Sequence, residues 1–400
     1  MIGAGPAGLA AADALARAGA RVTVFEHKPS PARKFLMAGR GGLNLTHSEP
    51  LEVFLKRYGA AAARLEPFIR AFPPERLRAF CAELGEKTFI GSSGRVFPKS
   101  FKTSPLLRAW LARLLRNGVT IETRFCCEGF TEDGGLQLRG PQGVFILKAD
   151  AVVLALGGAS WPRLGSDGGW TDWLAARGVA ISPLAPANCG AHIDWSARFL
   201  GGFEGAPIKT VLLRHDAEIA RGDVVVTRSG LEGGPVYALS SALRRAVAQD
   251  GAATLFLDPR PDVSIDALTR KLAREPGKQS QSTFLRKAAG LSKLDIALLR
   301  EARPEGLPRE AAALAALIKS APLRVRGVAG LERAISSSGG VAFDEVDAQL
   351  MLTKQPGVFV AGEMLDFDAP TGGYLLQAAF STGVAAGEGA ARFVGLAPRV

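Results

Sequence analysis

Apolar and polar positions along this 400-residue chain follow two different periods, and the places where the period switches outline its elements. Residues 5–18 are small and apolar at helical spacing, with Gly19 as the stop. Residues 21–26, R-V-T-V-F-E, read as a β-branched strand. Helical patterns cover 51–84 and 104–117, and 119–123, 136–139 and 143–147 read as short antiparallel strands. The run 149–156 is continuously apolar, the signature of a strand buried on both faces of a parallel sheet. Alternation at 208–215 and 218–228 predicts a hairpin around Asp216-Ala217, and 262–320 is mostly helical. Strand patterns return at 323–328 and 357–361, and a helix is predicted over 374–386.

The character of the pattern changes after Pro186. An inserted domain is therefore expected at 188–329, β-rich over 188–260 and 321–329 and helical over 261–320. The flanks, 1–187 and 330–400, then combine into one α/β nucleotide-binding domain. Only Met1 and Ile2 precede the first glycine turn, whereas a parallel strand normally needs about five or six residues. That strand reads as truncated, and extra upstream residues are expected to add stability and ligand affinity.

Composition changes this picture little. Hydrophobic residues at 47% and charged residues at 22% fit a folded enzyme, not a disordered chain. No apolar run is long enough to span a bilayer and no leader pattern is present, so a cytoplasmic location is expected. Cys81, Cys126, Cys127 and Cys189 form no C-x-x-C, so they read as small buried hydrophobes, with no metal site among them. The net charge of +11 raises nucleic acid as a partner, but lysines and arginines are scattered and no dense basic run occurs.

The chemistry concentrates in glycine-rich turns. In Gly3-Ala4-Gly5-Pro6-Ala7-Gly8, Gly3 permits the turn, Gly5 admits a pyrophosphate, and Gly8 allows close helix–strand contact. Glu26, ending the next strand, stands where a carboxylate accepts ribose hydroxyls and disfavours a 2′-phosphate, which points to FAD or NAD. A second glycine-dense loop, 34–47, offers Lys34, Gly39, Gly41, Asn44 and Thr46 to a phosphate or ring edge. Gly157 and Gly158 end the apolar strand, where open α/β sheets bind ligands. Gly362-Glu363 follows the strand near the end, and Thr371-Gly372-Gly373-Tyr374 opens a second helix. That helix start would face a flavin pyrimidine with its positive dipole. A pair of distant glycine turns suits FAD, a long molecule, better than NAD.

These segments, in this order, resemble the bacterial NAD(P)/FAD-dependent oxidoreductases of the BaiN/RdsA type over nearly the whole chain. The most specific matches are A-L-G-G-A-S-W-P-R-L-G-S-D-G at 155–168 and A-G-E-M-L-D-F-D-A-P-T-G-G-Y-L-L-Q at 361–377, with 94–98 and 337–341 also fitting. The glycine loop departs from the family pattern at Ala38, Arg40, Gly42, Leu43 and His47, and Arg228 stands at the family's histidine. The resemblance implies a Rossmann-like FAD domain of glutathione-reductase-type topology, interrupted by a β-barrel-like and a helical domain. It also implies noncovalent FAD reduced by transiently bound NAD(P)H, with hydride passed to an unsaturated or carbonyl-conjugated small molecule. An oxidase using molecular oxygen and a flavin-containing RNA-modifying protein are the alternatives. Tyr374, as proton donor, and Arg228, as an anion-orienting group, are the candidate catalytic residues, whereas His192 and His215 read as structural.

Overall fold

The computed structural model describes residues 1–37, 42–275 and 277–397. The chain divides into two compact units, Met1–Ala185 with Ser336–Val400, and Pro186–Ile335. Residues 330–335 belong to the second unit: buried Ala334 packs with Cys189 and Ala329, and the Ile335 amide donates to the Asn188 carbonyl at 3.2 Å.

The first unit is built on a parallel sheet. Thr120–Thr123 pairs with Thr23–Glu26, and Val152–Leu154 with Val358–Val360. Ile2 joins the two halves, bridging Phe25 on one side and Leu154 on the other. Met1 and Ile2 thus act as a full strand in miniature: the Ile2 amide donates to Val153 at 2.9 Å, and Phe25 donates to the Met1 carbonyl at 2.9 Å. Counted along the chain, the spatial order is 3-2-1-4-5, and the order reverses between the strand at Ile2 and that at 152–154. In such sheets ligands bind at the carboxyl ends of the strands flanking that reversal.

The strand at 120–123 is therefore parallel and stands at one end of this strand order, not antiparallel as its short pattern suggests. The antiparallel sheet that follows comprises Cys126–Phe130, Leu136–Gly140 and Gly143–Leu147. Four residues cannot show whether their partner runs parallel; the helix Thr103–Arg116 before them supplies the crossover that decides it.

The helix Pro6–Arg17 lies against the helix Tyr374–Phe393, which runs seven residues beyond its predicted end at 386. Their contact is made of small residues. A Cβ on Gly383 would meet the Ala7 carbonyl oxygen at 2.4 Å, and one on Gly387 would meet that of Ala11 at 2.5 Å. No helix among the described residues is long and apolar enough to cross a membrane.

The second unit carries a seven-stranded sheet with Pro207–His215 and Glu218–Thr227 as its central hairpin. No closed barrel is found among the described residues. The edge strands, Ala321–Val325 and Gly327–Val328, follow each other in sequence, yet no ladder among the described residues joins them. Four helices, Ile265–Leu272, Gln281–Ala288, Lys293–Ala302 and Ala311–Lys319, enclose a separate small core around Leu268, Leu285, Ile296 and Leu314.

The glycine contacts give a paired test. Gly387→Ala should destabilise the protein by about 1–3 kcal/mol, because the added methyl overlaps a fixed backbone. Gly201→Ala, in the helix Ala197–Phe203 with no atom within 4 Å of its Cβ position, should be neutral or add about 0.4–1 kcal/mol. Urea midpoints for the two variants check this, and equal midpoints would refute the helix contact.

Candidate functional site

At the sheet reversal the first turn sorts its glycines by cause. Gly3 has φ +95°, and a Cβ there would lie 2.3 Å from the Ala155 carbonyl oxygen. A Cβ on Gly8 would lie 1.9 Å from the Gly3 carbonyl oxygen. Both must be glycine for the protein to pack with itself. Gly5 is different: its φ is −78°, open to any residue, and nothing lies within 4 Å of its Cβ position. Folding gives no reason for glycine at Gly5, whereas a ligand lying on the backbone does.

Gly5 is the N-cap of the first helix, which has no side-chain cap, no acidic residue in its first turn and Pro6 at its start. Its first amides remain available to an anion. Ala7, beside them, is buried against Gly362 and Gly383 and so fixes the helix start from behind. Glu26 closes the turn: one carboxylate oxygen accepts from the Ala4 amide at 3.0 Å and the other from Lys28 at 2.8 Å. Each oxygen retains lone pairs for a ribose hydroxyl.

A second cluster gathers residues from four distant segments. The Lys34 ammonium donates to Ser160 Oγ at 2.5 Å and to Glu363 Oε2 at 2.6 Å. Glu363 Oε1 accepts from the Ser337 amide at 2.9 Å, and Ser337 Oγ accepts from the Ala159 amide at 2.9 Å. Gly158 must be glycine here, because a Cβ would sit 1.9 Å from Ser337 Oγ. Gly157 has φ +76° and borders Ser166, whose buried hydroxyl has no hydrogen-bond partner among the described residues. Ser160 and Ser337 were not singled out from sequence as site residues; the only available signal was their place in matched family segments.

A third cluster surrounds the start of the last helix. The Tyr374 hydroxyl donates to Glu49 Oε1 at 2.6 Å, Arg57 holds the same carboxylate at 2.8 and 3.0 Å, and Tyr58 donates to the Tyr374 carbonyl at 2.8 Å. His47 stacks on the Tyr374 ring at 5.5 Å. Burial and the bond to Glu49 push the Tyr374 phenol well up. The arrangement packs the Tyr374 ring against His47 and anchors its hydroxyl on Glu49. Arg228, in the second unit, is strongly exposed and pairs with Glu204 at 3.3 Å, a solvated setting for a catalytic cation.

Gly373 also acquires a different explanation. It has φ +95° and its Cβ would meet the Thr46 backbone at 2.5 Å, so its glycine serves packing against that strand. Gly372, at φ +125°, crowds the Tyr374 ring. Gly373→Val would therefore disturb folding with or without a ligand. The helix end itself still fits a ligand: it has no side-chain cap or acid in its first turn, and the adjacent Thr46 hydroxyl is buried without a hydrogen-bond partner among the described residues. Asn44 donates to the Thr46 and Val96 carbonyls and braces this loop. Thr371 lies on the turn before the helix, and Gly39 and Gly41 lie outside the described residues.

The Glu49 cluster predicts a pH dependence. Burial opposes ionisation of Glu49, yet the hydrogen bonds from Arg57 and Tyr374 outweigh it and hold the carboxyl below its ordinary value of 4.5. A depressed native value means stabilisation that is complete above 4.5 and lost as pH falls through the native value. Wild type should lose more stability between about pH 6 and pH 3 than Glu49→Gln, as followed by urea midpoints. Parallel curves would count against the cluster.

The HI0933-like protein Rossmann domain matches residues 1–389. The chain is 26% identical over 406 residues to the 3-dehydro-bile acid delta(4,6)-reductase of Clostridium scindens, covering 98% of each. It is 23% identical over 399 residues to the ribosomal RNA dihydrouridine synthase of Escherichia coli K12, covering 96% of this chain and 95% of the relative. Among solved structures, 3-ketosteroid-delta4-(5alpha)-dehydrogenase of Rhodococcus jostii RHA1 shares the fold with a TM-score of 0.54 at 16% identity, over 98% of this chain and 95% of that one. With a glycine turn closed by the Glu26 carboxylate and a family match along almost its full length, the chain belongs to the HI0933-like Rossmann family and is an FAD-dependent oxidoreductase.

Proposed function

We propose that this protein binds FAD noncovalently, accepts electrons from NADH or NADPH, and reduces a carbon–carbon double bond conjugated to a carbonyl. The observation that carries the cofactor reading is Gly5, the one glycine of the described cradle whose backbone is unstrained and whose Cβ position faces nothing in the protein. The first turn would hold the pyrophosphate and Glu26 the adenosine ribose. The uncapped start of the last helix would receive the flavin ring, with its amides stabilising negative charge on the reduced ring. Lys34 holds the Glu363 carboxylate in place beyond the end of the strand Val358–Val360. FAD, when bound, supplies the hydride transfer; the chain's residues bind and orient it.

The substrate class follows from chemistry shared by the two relatives. A 3-oxo bile acid with a Δ4 bond and a uracil base both carry an alkene conjugated to a carbonyl, which accepts hydride at the β carbon. A small conjugated carbonyl compound is the leading reading. Uracil within RNA is the second, favoured by the dihydrouridine synthase relatives and the net charge of +11.

Purified protein should show a flavin absorption spectrum, with the flavin released into the supernatant on acid precipitation. Anaerobic stopped-flow mixing with NADH and NADPH should bleach it, and a conjugated enone should restore it faster than oxygen does. Gly5→Val should fold normally, because valine fits φ −78°, yet lose FAD. A folded Gly5→Val variant with full flavin content would remove the cradle. Reoxidation by oxygen alone would favour an oxidase.

A further inference from the structure

One stretch of the second unit carries an excess of cations. Between residues 265 and 302 stand eight lysines and arginines against four acids, Asp266, Glu275, Asp295 and Glu301, and Glu301 accepts from the Ser196 amide and hydroxyl. Asp295 is buried in the capping box of its own helix and offers no compensation at the surface. Arg270, Lys271, Arg274, Lys278, Arg286, Lys287, Lys293 and Arg300 are all exposed, and none forms an ion pair among the described residues. By contrast, Arg57, Arg64, Arg70, Arg76 and Arg113 in the first unit each have an acidic partner.

Six of these cations sit on three short helices of one small bundle, and Arg274 and Lys278 lie on the connection between the first two. Leu268, Leu272, Leu285 and Ile296 point into its core, which leaves the charged positions on the solvent side. Arg270 and Lys271 stand in the last turn of the first helix with Arg274 just past its end, and Arg300 reaches back to Ser282 at 2.9 Å, tying the third helix to the second. Between them runs K-Q-S-Q-S-T at 278–283, a row of exposed or half-exposed hydrogen-bonding side chains at the start of the helix Gln281–Ala288.

We propose that this face is a docking surface for the phosphate backbone of RNA. Exposed lysines and arginines in excess over acids, interleaved with serine, threonine and glutamine, are the groups that contact phosphates and sugars without reading sequence. An anionic membrane is the poorer partner. Surface-bound helices need an apolar face beside the basic one, and across these three helices Ile265 alone is an exposed large hydrophobic residue. The assignment is independent of the redox reading, because the cations belong to the second unit and none takes part in the proposed flavin cradle. If RNA is also the substrate, this face would supply affinity that a uracil ring alone cannot.

The test uses the full-length protein with its flavin and a fluorescein-labelled RNA hairpin of about 30 nucleotides, read by anisotropy across a salt series. Phosphatidylserine vesicles, polyglutamate and a DNA hairpin of the same length serve as the other arms. Wild type should bind the RNA with a steep salt dependence. The variant R270Q/K271Q/R274Q/R286Q/K287Q should bind about tenfold or more weakly, with a salt slope shallower by roughly four. Its flavin content and its rate of reduction by NAD(P)H should match wild type, which separates failure of this surface from failure of the flavin reading. Equal RNA binding by the variant, or tighter binding of DNA, vesicles or polyglutamate than of RNA, would overturn the proposal.

Discussion

The first unit depends on backbone packed against backbone with no side chain between. The first helix is gripped from both sides: Gly8 presses on Gly3 at the sheet, and Gly383 and Gly387 press on Ala7 and Ala11 from the last helix. A helix held this way cannot roll or slide without opening a void or a clash. Its amino end is therefore fixed relative to Glu26 and to the ends of the neighbouring strands. Rigid placement of uncapped amides is what an anionic ligand requires, since donors that are already oriented need no reorganisation on binding.

The same rigidity explains why several glycines that look like ligand contacts are needed by the protein first. Gly158 makes room for Ser337, Gly362 for Ala7, and Gly373 for the strand at Thr46. These close contacts draw the three glycine turns toward one region. The cradle is thus a by-product of tight internal packing, and Gly5 stands out because it takes no part in that packing.

Much of this was legible along the chain. The strand–turn–helix–strand opening, the helix at 104–117, the hairpin at 208–228 and the helical stretch after 262 all carry strong local patterns. What was not legible depends on distance. The parallel pairing of 120–123 is decided by a strand almost a hundred residues earlier. The Lys34–Ser160–Glu363–Ser337 cluster joins segments that no spacing rule connects. The barrel-like domain expected for the insertion is not shown: the chain steps across Arg326 from one sheet edge to the other, and no ladder among the described residues pairs the edges. The basic face, read from sequence as scattered charge, exists only once three helices fold onto one core.

The parallel sheet of the first unit has a consequence for how the protein is made. Its strand at 152–154 pairs with the one at 358–360, and the first helix needs the last one. The second unit, by contrast, is continuous in sequence and complete once residue 335 has emerged. During synthesis the insertion can therefore close its own cores while the nucleotide unit waits, half-assembled, with the edge of Val152–Leu154 and the small-residue face of the first helix uncovered. The last fifty residues act as the latch. Any pause or truncation before them leaves a folded insertion tethered to an open sheet, the state from which aggregation starts.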